Sequence, residues 1–434
     1  MTPSAPEIST ASPPRWLFVD LNSYFASVEQ QERPHLRGKP IIVVPVMSDH
    51  TCAIAASVQA KKYGIKTGTN VGDAKRKCPG LVLVEASHER YVEYHERVKE
   101  EVERHWPIQV VGSIDEVGLL LDDKRANEND AVDLARRIKR GLRENVGEVI
   151  TCSIGIAPNR YLAKVASDLT KPDGLEVIRL EDLPGRLAHL KLTDLPGIGR
   201  RMEPRLRELK IETFLDLWHA GPGVLHQAWG SVGGERFWRH LHGGDLDGDF
   251  DDMEAEAPKS IGHSHVLAPE FRRPPEAAIV AQRLLLKTAS RLRRAKHRAC
   301  ELYLSLRTEN GAKGKAHLRF PPVSDSYALT KNLEVLWGRA LSQIPGHRIK
   351  KIGVTLFGLE SDAEPVQLDL FPMLGSALTA DVERRDRLSK IMDEINQDFG
   401  RDSIALGFAP DRVKTFSGTK IAFTRIPDLQ EFKE

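Results

Sequence analysis

Three acids in this chain stand where strands run out. Asp20 closes the apolar run WLFVD, and Asp115 and Glu116 sit at the break between the two strand-like halves of IQVVGSIDEVGLLLDD. Strand ends from distant parts of a chain can meet along one edge of a sheet, so their separation in sequence is no obstacle. Carboxylates gathered in that way are the hard oxygen ligands that two Mg²⁺ ions take, with coordination positions left over for water and phosphate oxygens. Two such ions roughly 3.5–4 Å apart stabilise both the attacking and the leaving oxygen of an in-line phosphoryl displacement. Taken singly, each acid is an ordinary solvated strand end. Only their surroundings can make the trio specific.

The elements that would hold them follow from periodicity. WLFVD, KPIIVVPV, LVLVEA, the two halves around Gly112–Glu116 and VITCSIGIAP have the short apolar runs of strands. Between them LNSYFASVEQQ, CAIAASVQAKKYGIKTG, HERYVEYHERVKEEVERHW, AVDLARRIKRGLREN and NRYLAKVASDL have helical spacing, the second broken at Gly64 and Gly68. Strands alternating with helices predict an α/β layer. From about Leu190 the pattern turns to short helices with Gly-rich turns. A later stretch reads strand, helix, strands, helix, strand, which makes the whole chain an α/β (α+β) multidomain protein. Its clearest helix is Glu276–Ala299, with Arg283, Lys287, Arg291, Arg294 and Arg298 spaced along one face. Asp381–Phe399 predicts one more helix.

Length and composition narrow the class. At 434 residues, 41% hydrophobic and 6% aromatic, the chain suits two to four globular domains. No apolar run approaches the ~18 residues of a membrane span, and the opening MTPSAPEISTASPP has neither the basic start nor the apolar core of a secretory signal. Four scattered cysteines without a CxxC pair argue against a disulfide scaffold or zinc site, so a cytoplasmic protein is expected. The net charge of +2 conceals a division: residues 257–360 carry 19 basic against 7 acidic side chains. An excess of that size is a candidate phosphate-backbone surface. It follows an acidic, apolar-poor stretch, DLDGDFDDMEAE, which reads as a solvated linker. GHSH (His263, His265) lacks a third ligand at suitable spacing and reads as a backbone-contacting loop.

Four segments, DLNSYFASVE, GSIDEVGL, CSIGIAPNRYLAKVASDLTKPDG and LPGIG, occur in this order. Together they resemble the motif series of Y-family (lesion-bypass) DNA polymerases over roughly residues 15–360. The likeness is to bacterial DNA polymerase IV, with features of the polymerase V catalytic subunit in VDLNSYFAS, in Ile54–Lys61 and in the tail. It implies a right-hand polymerase: a lead-in over 1–14, a palm over 15–31 and 82–185, fingers over 32–81 and a helix-hairpin-helix thumb over 186–244. An acidic linker over 245–257, a little finger over 258–360 and a tail over 361–434 complete it. Asp20, Asp115 and Glu116 then match the metal-holding carboxylates, with the Leu21 carbonyl as a further ligand.

The same resemblance makes Phe25, beside Tyr24, the steric gate that excludes a 2′-hydroxyl, and Lys171 a contact of the incoming triphosphate. Where polymerase IV commonly offers Thr, Tyr and Arg from the fingers, this chain has Ala55, Val58 and Lys61. Gly197, Ile198 and Gly199 match the thumb hairpin turn, whose bare backbone can meet a DNA phosphate. The basic face from Arg283 to Arg298 would track the strands of primer-template DNA. Gln367, Leu368, Asp369, Leu370 and Phe371 resemble the bacterial sliding-clamp peptide. The implied function is low-fidelity, two-metal addition of deoxynucleotides opposite damaged bases. The implied partners are DNA, deoxynucleoside triphosphates and the clamp, with an accessory subunit as a further candidate. A non-catalytic, clamp-bound scaffold is the alternative; such a relative would lack the carboxylate trio, which is retained here.

Overall fold

The computed structural model describes residues 13–122, 127–245, 258–362, 375–400, 403–404, 406, 421 and 425–432, those at 375–380 and 430 by their backbone alone. The chain divides into two compact units, Met1–Met253 with Thr419–Leu429, and Glu254–Gly418 with Gln430–Glu434.

In the first unit β1 (Trp16–Leu21) leads into α1 (Tyr24–Glu32). Next come β2 (Ile41–Val44), β3 (Ala55–Ala56), α2 (Val58–Lys61), α3 (Val71–Lys77) and β4 (Val82–Glu85). These strands form a small sheet in the order β3-β2-β4. After α4 (His88–Glu103), β5 (Val110–Ser113) and β6 (Glu116–Leu120), α5 (Glu128–Gly141) precedes β7 (Cys152–Ala157), α6 (Arg160–Leu169) and β8 (Leu175–Val177). The main sheet runs β5-β6-β1-β7-β8. Its centre, β1, is buried on both faces, so every residue from Trp16 to Leu21 faces protein and only the strand's end opens to chemistry.

Helix α6 lies directly on that sheet. A Cβ at Gly155 of β7 would stand 2.0 Å from the Ala163 carbonyl and 2.4 Å from the Ser167 nitrogen, so only glycine admits the helix so close. Four short helices complete the unit: α7 (Met202–Glu208), α8 (Phe214–His219), α9 (Pro222–Trp229) and α10 (Gly233–Leu241). Their apolar sides, through Leu206, Phe214, Leu225 and Leu241, share one core with Trp16, Phe18, Leu162 and Ala166.

The second unit is an antiparallel sheet covered on one face. β9 (Ser260–Val266), α11 (Pro274–Arg294), β10 (His297–Thr308), β11 (Lys313–Val323), α12 (Ser326–Leu341) and β12 (Ile349–Ser361) follow in sequence, and the strands lie in the order β11-β10-β12-β9. Leu302, Leu304, Leu306, Ile352, Val354 and Leu356 alternate along the two central strands and pack under α11 and α12. A last helix, α13 (Gly375–Phe399), is tied to this unit through buried Arg293. The Arg293 guanidinium donates to both Asp393 carboxylate oxygens at 2.7 and 2.8 Å, to the Ser324 carbonyl and to Ser326 Oγ. Ser324 Oγ also donates to Asp386, and the Ser326 amide to Ser389 Oγ.

The structure corrects three expectations. The Ala-rich run from Cys52 to Gly68 is not one helix: Ala55 and Ala56 pair with Val43 and Ile42 as a short strand, and only Val58–Lys61 is helical. Pairing to β2 overrides the local preference of alanine. The helix expected over Glu276–Ala299 ends at Arg294, because Lys296 takes a positive φ of 54° and the chain reverses into β10. Arg298 is therefore a strand residue, 3.0 Å from Asp362. His263 and His265 lie in β9, paired with Val354 and Ile352, rather than in a loop. No described helix is long and apolar enough to cross a membrane.

Candidate active site

Strand register brings two of the three acids together. Asp20 pairs directly with Glu116 across the antiparallel β1–β6 ladder. Side chains of directly opposed residues share a face with Cβ atoms about 5 Å apart. Asp115 occupies the turn just before β6, and its carbonyl accepts the Leu21 amide at 2.9 Å, which pins that turn to the end of β1. Ser113 Oγ donates to Asp115 Oδ1 at 2.6 Å and fixes the carboxylate. Asp20 is only 4% exposed. Burial, joined by the charge of Asp20, lifts the Asp115 carboxyl above its ordinary range, against the Ser113 hydrogen bond. Burial likewise raises Glu116, although Lys164 pulls it down.

Two ammonium groups neutralise this cluster. Lys164 Nζ of α6 contacts Asp20 Oδ2 and lies 2.8 Å from Glu116 and 3.4 Å from Asp168. Lys171 Nζ lies 2.7 Å from Asp20 Oδ1 and 2.7 Å from Asp168. Burial opposes the charge of Lys164, yet Asp20, Asp168 and Glu116 together raise its pKa above the usual lysine value. Lys164, Asp168 and Lys171 recur at i, i+4 and i+7, one face of a helix and its exit. That spacing was present in NRYLAKVASDLTKPDG and could have marked Lys164 and Asp168, which sequence reasoning passed over.

The loop carrying Lys171 is fixed from behind. The buried Asn22 side chain donates to Ser153 Oγ at 3.0 Å and accepts from the Asp173 amide at 2.8 Å. Lys139 Nζ donates to the carbonyls of Cys152, Asp173 and Gly174 at 2.7–3.0 Å. The base of β1, the loop and α5 are thereby tied together.

Phe25 lines the same cleft, of about 1330 Å³, as Asp20, Leu21, Tyr24, Ala55, Lys61, Asp115, Glu116, Lys164 and Lys171. Its ring lies on Tyr91, with centroids 4.3 Å apart and planes 12° apart. Tyr91 is fully buried; its hydroxyl donates to Glu29 Oε1 at 2.6 Å and accepts from the Ser87 amide. Tyr24 is buried as well and donates its hydroxyl to the Tyr91 carbonyl at 2.6 Å, so it braces the aromatic layer from below. Lys61 ends the short α2, where burial and then Lys171 lower its pKa. Val58 opens that helix and is not among the cleft's lining residues.

The other expected contacts lie elsewhere. Gly197 takes φ +90°, the left-handed region that favours glycine, Ile198 is buried in the core of the first unit, and a Cβ at Gly199 would meet open space. In the second unit the expected basic face of α11 does not stand open. Arg283 is buried, Lys287 half-buried, and Arg291 donates to the Gly262 carbonyl at 3.1 Å with Glu431 at 3.9 Å; Arg294 is exposed. The open basic surface is on the sheet instead. Lys313, Arg307 and Lys351 are direct neighbours across β11, β10 and β12, all exposed and on the side away from the helices. Like charges directly opposed cost stability. Gln367–Phe371 lies outside the described residues.

Comparison with known proteins fits this layout. Residues 19–168 match the family described as impB/mucB/samB, and residues 258–370 match its C-terminal domain. Residues 193–245 match the thumb domain of DNA polymerase-iota. A DNA polymerase IV of Moorella thermoacetica is 34% identical over 395 residues, 88% of this chain and 93% of that protein. One from Pelotomaculum thermopropionicum is 31% identical, over 89% and 93% respectively. Among solved structures, a Y-family DNA polymerase chimera matches 80% of this chain and 99% of its own with TM-score 0.68 at 24% identity. An insertion ternary complex of Dbh DNA polymerase covers the same shares with TM-score 0.52 at 25% identity.

A multidomain α/β chain with this matched thumb and C-terminal domain, and with relatives spanning nearly its whole length, is a DNA-directed DNA polymerase. Enzymes of this class generally work with divalent metal. The chain belongs to the Y family of DNA polymerases.

Proposed function

We propose that this enzyme performs translesion synthesis, adding deoxynucleotides opposite damaged template bases by two-metal nucleotidyl transfer at low fidelity. The single observation that carries the reading is the shared cleft: Asp20, Asp115 and Glu116 at one end of the sheet, Lys171 beside them and Phe25 on the wall. The donor set of carboxylates with the Leu21 carbonyl is all hard oxygen, which suits Mg²⁺. Among the described residues no three or more carboxylates, histidines or cysteines are drawn together so that they could hold a metal ion. The cations on Asp20 and Glu116 are ammonium groups, so loading the site requires Lys164 and Lys171 to yield positions there.

Two Mg²⁺ held by Asp20, Asp115, Glu116 and the Leu21 carbonyl would lower the pKa of the primer 3′-hydroxyl and neutralise the departing pyrophosphate. Lys171 is placed to meet the triphosphate, and Lys164, once released, adds positive charge where the leaving group departs. Phe25, braced by Tyr91, fills the volume that a 2′-hydroxyl needs. Gly197–Gly199 offers backbone to a DNA phosphate, and the row Lys313, Arg307, Lys351 tracks the backbone without reading sequence. Residues 15–31 and 82–185 then act as palm, 32–81 as fingers, 186–244 as thumb and 258–360 as little finger. Gln367–Phe371 recruits the polymerase to the sliding clamp.

The test is primer extension with Mg²⁺ on undamaged and abasic templates, beside an Asp115→Ala, Glu116→Ala double variant. Extension past the abasic site that vanishes in the variant supports the reading. Extension that persists in the variant removes the carboxylates from it, and a wild type that stalls at every lesion removes translesion synthesis.

A further inference from the structure

The cleft has a wall that comes from the far end of the chain. Thr419–Leu429 follow most of the second unit in sequence yet belong to the first. Ile421, Arg425 and Ile426 line the same cleft as the three carboxylates, Lys61 and Lys171. The Ile421 amide lies 3.5 Å from His88 Nδ1, and the His88 ring stands edge-on to Phe25 at 6.3 Å between centroids. The segment therefore meets the cleft on its aromatic side. With these residues in place the cleft still measures about 1330 Å³. That exceeds the ~300–1,000 Å³ of an ordinary small-molecule site, so the segment bounds the cleft without filling it.

The side chains say what such a wall is for. Lys61 is a compact point charge on a short helix. Arg425 brings a permanently charged planar fork, which matches two phosphate oxygens at once. Arg425 shares the cleft with the carboxylates, Phe25 and Lys171, so its charge is within the space a triphosphate laid there would occupy. We propose that Arg425 is a nucleotide-binding residue, delivered in cis by the C-terminal segment, that grips the triphosphate of the incoming nucleotide. This rests on the polymerase reading above.

The experiment uses the full chain and four proteins: wild type, Arg425→Ala, Arg425→Lys and Arg425→Gln. Single-nucleotide insertion gives KM and kcat for the nucleotide. Equilibrium titration on a dideoxy-terminated primer-template gives nucleotide affinity without chemistry, and DNA affinity is measured separately. A hydrogen bond to a charged group is worth enough that Arg425→Ala should weaken nucleotide binding about ten- to a hundredfold, with DNA affinity unchanged and Arg425→Lys recovering part of the loss. Arg425→Gln, which keeps a polar hydrogen-bonding end but no charge, should weaken nucleotide binding as alanine does.

Unchanged nucleotide affinity in both neutral variants overturns the proposal. So does a loss confined to DNA affinity, which would assign Arg425 to the nucleic acid. Tighter nucleotide binding and faster insertion would also overturn it, because the segment would then be a plug. Should the wild type neither extend a primer nor bind nucleotide, the polymerase reading falls first and takes this proposal with it.

Discussion

Lys164 and the catalytic metals compete for the same carboxylates, and Lys164→Met isolates that competition. The change keeps most of the side-chain volume and removes the ammonium that sits on Asp20, Glu116 and Asp168. Removing one member of a buried ion pair costs about 3–5 kcal/mol, because the other charge is left without a partner. Two features reduce that here: Lys171 remains 2.7 Å from Asp20, and Glu116 and Asp168 are 27% and 34% exposed. A cost of about 2 kcal/mol is expected in EDTA, which lowers the melting temperature of the first unit by roughly 4–8 °C.

Added Mg²⁺ should then behave differently in the two proteins. A ligand at a hundred times its Kd stabilises by about 2.7 kcal/mol. In the wild type part of that is offset by displacing Lys164, whereas the variant presents its carboxylates uncovered. The Mg²⁺-induced rise in Tm should therefore be larger in Lys164→Met than in the wild type, and the cost of the substitution should shrink as Mg²⁺ is added. Scanning fluorimetry across a Mg²⁺ series measures both. Equal Mg²⁺-induced shifts in the two proteins would refute the competition, and with it the reading of these lysines as occupants of the metal positions.

Three further outcomes can be measured. Tyr91→Leu removes the ring stacked beneath Phe25; such a pair is worth about 0.5–1.5 kcal/mol, so ribonucleotide insertion relative to deoxynucleotide should rise roughly two- to tenfold. An unchanged ratio would mean that Phe25 holds its place unaided. The Asp115 carboxyl is raised by burial, so the folded state binds its proton more tightly than the unfolded chain does and the ionised form costs stability. Asp115→Asn should accordingly melt higher than the wild type near neutral pH in EDTA, with the gap closing as pH falls back through the raised value toward the ordinary carboxylate range; a gap independent of pH contradicts this. Replacing Lys313, Arg307 and Lys351 by alanine should flatten the dependence of log DNA affinity on log salt by up to about 0.9 for each phosphate that is no longer neutralised, whereas an unaltered slope would put the DNA elsewhere.

Much of the first unit was legible because its signals are local. An apolar run ending in Asp20 and a break at Asp115–Glu116 are strand ends on their face, and the register that opposes Asp20 to Glu116 follows once β1 and β6 are neighbours. What the sequence withheld is non-local. Nothing in HERYVEYHERV distinguishes Tyr91, which stacks on Phe25, from Tyr94, whose hydroxyl goes to Glu32. The basic spacing from Arg283 to Arg298 runs without a break through Lys296, where the backbone turns back, so periodicity alone extended the helix and put its charges outward. Nor does local pattern announce that Ile421 and Arg425 return to a cleft built from residues 20–171.

Arg293 bears on where this protein ends as a folding unit. The matched C-terminal domain ends at residue 370, but the guanidinium of Arg293, 8% exposed in the second unit, takes its carboxylate from Asp393 on α13. A chain cut at 370 would keep the whole of that matched domain and leave a buried cation facing a vacated groove, with Ser324 and Ser326 stripped of Asp386 and Ser389. The border of the matched domain and the border of its packing thus differ here. The matched segment is shorter than the piece of chain that packs around Arg293.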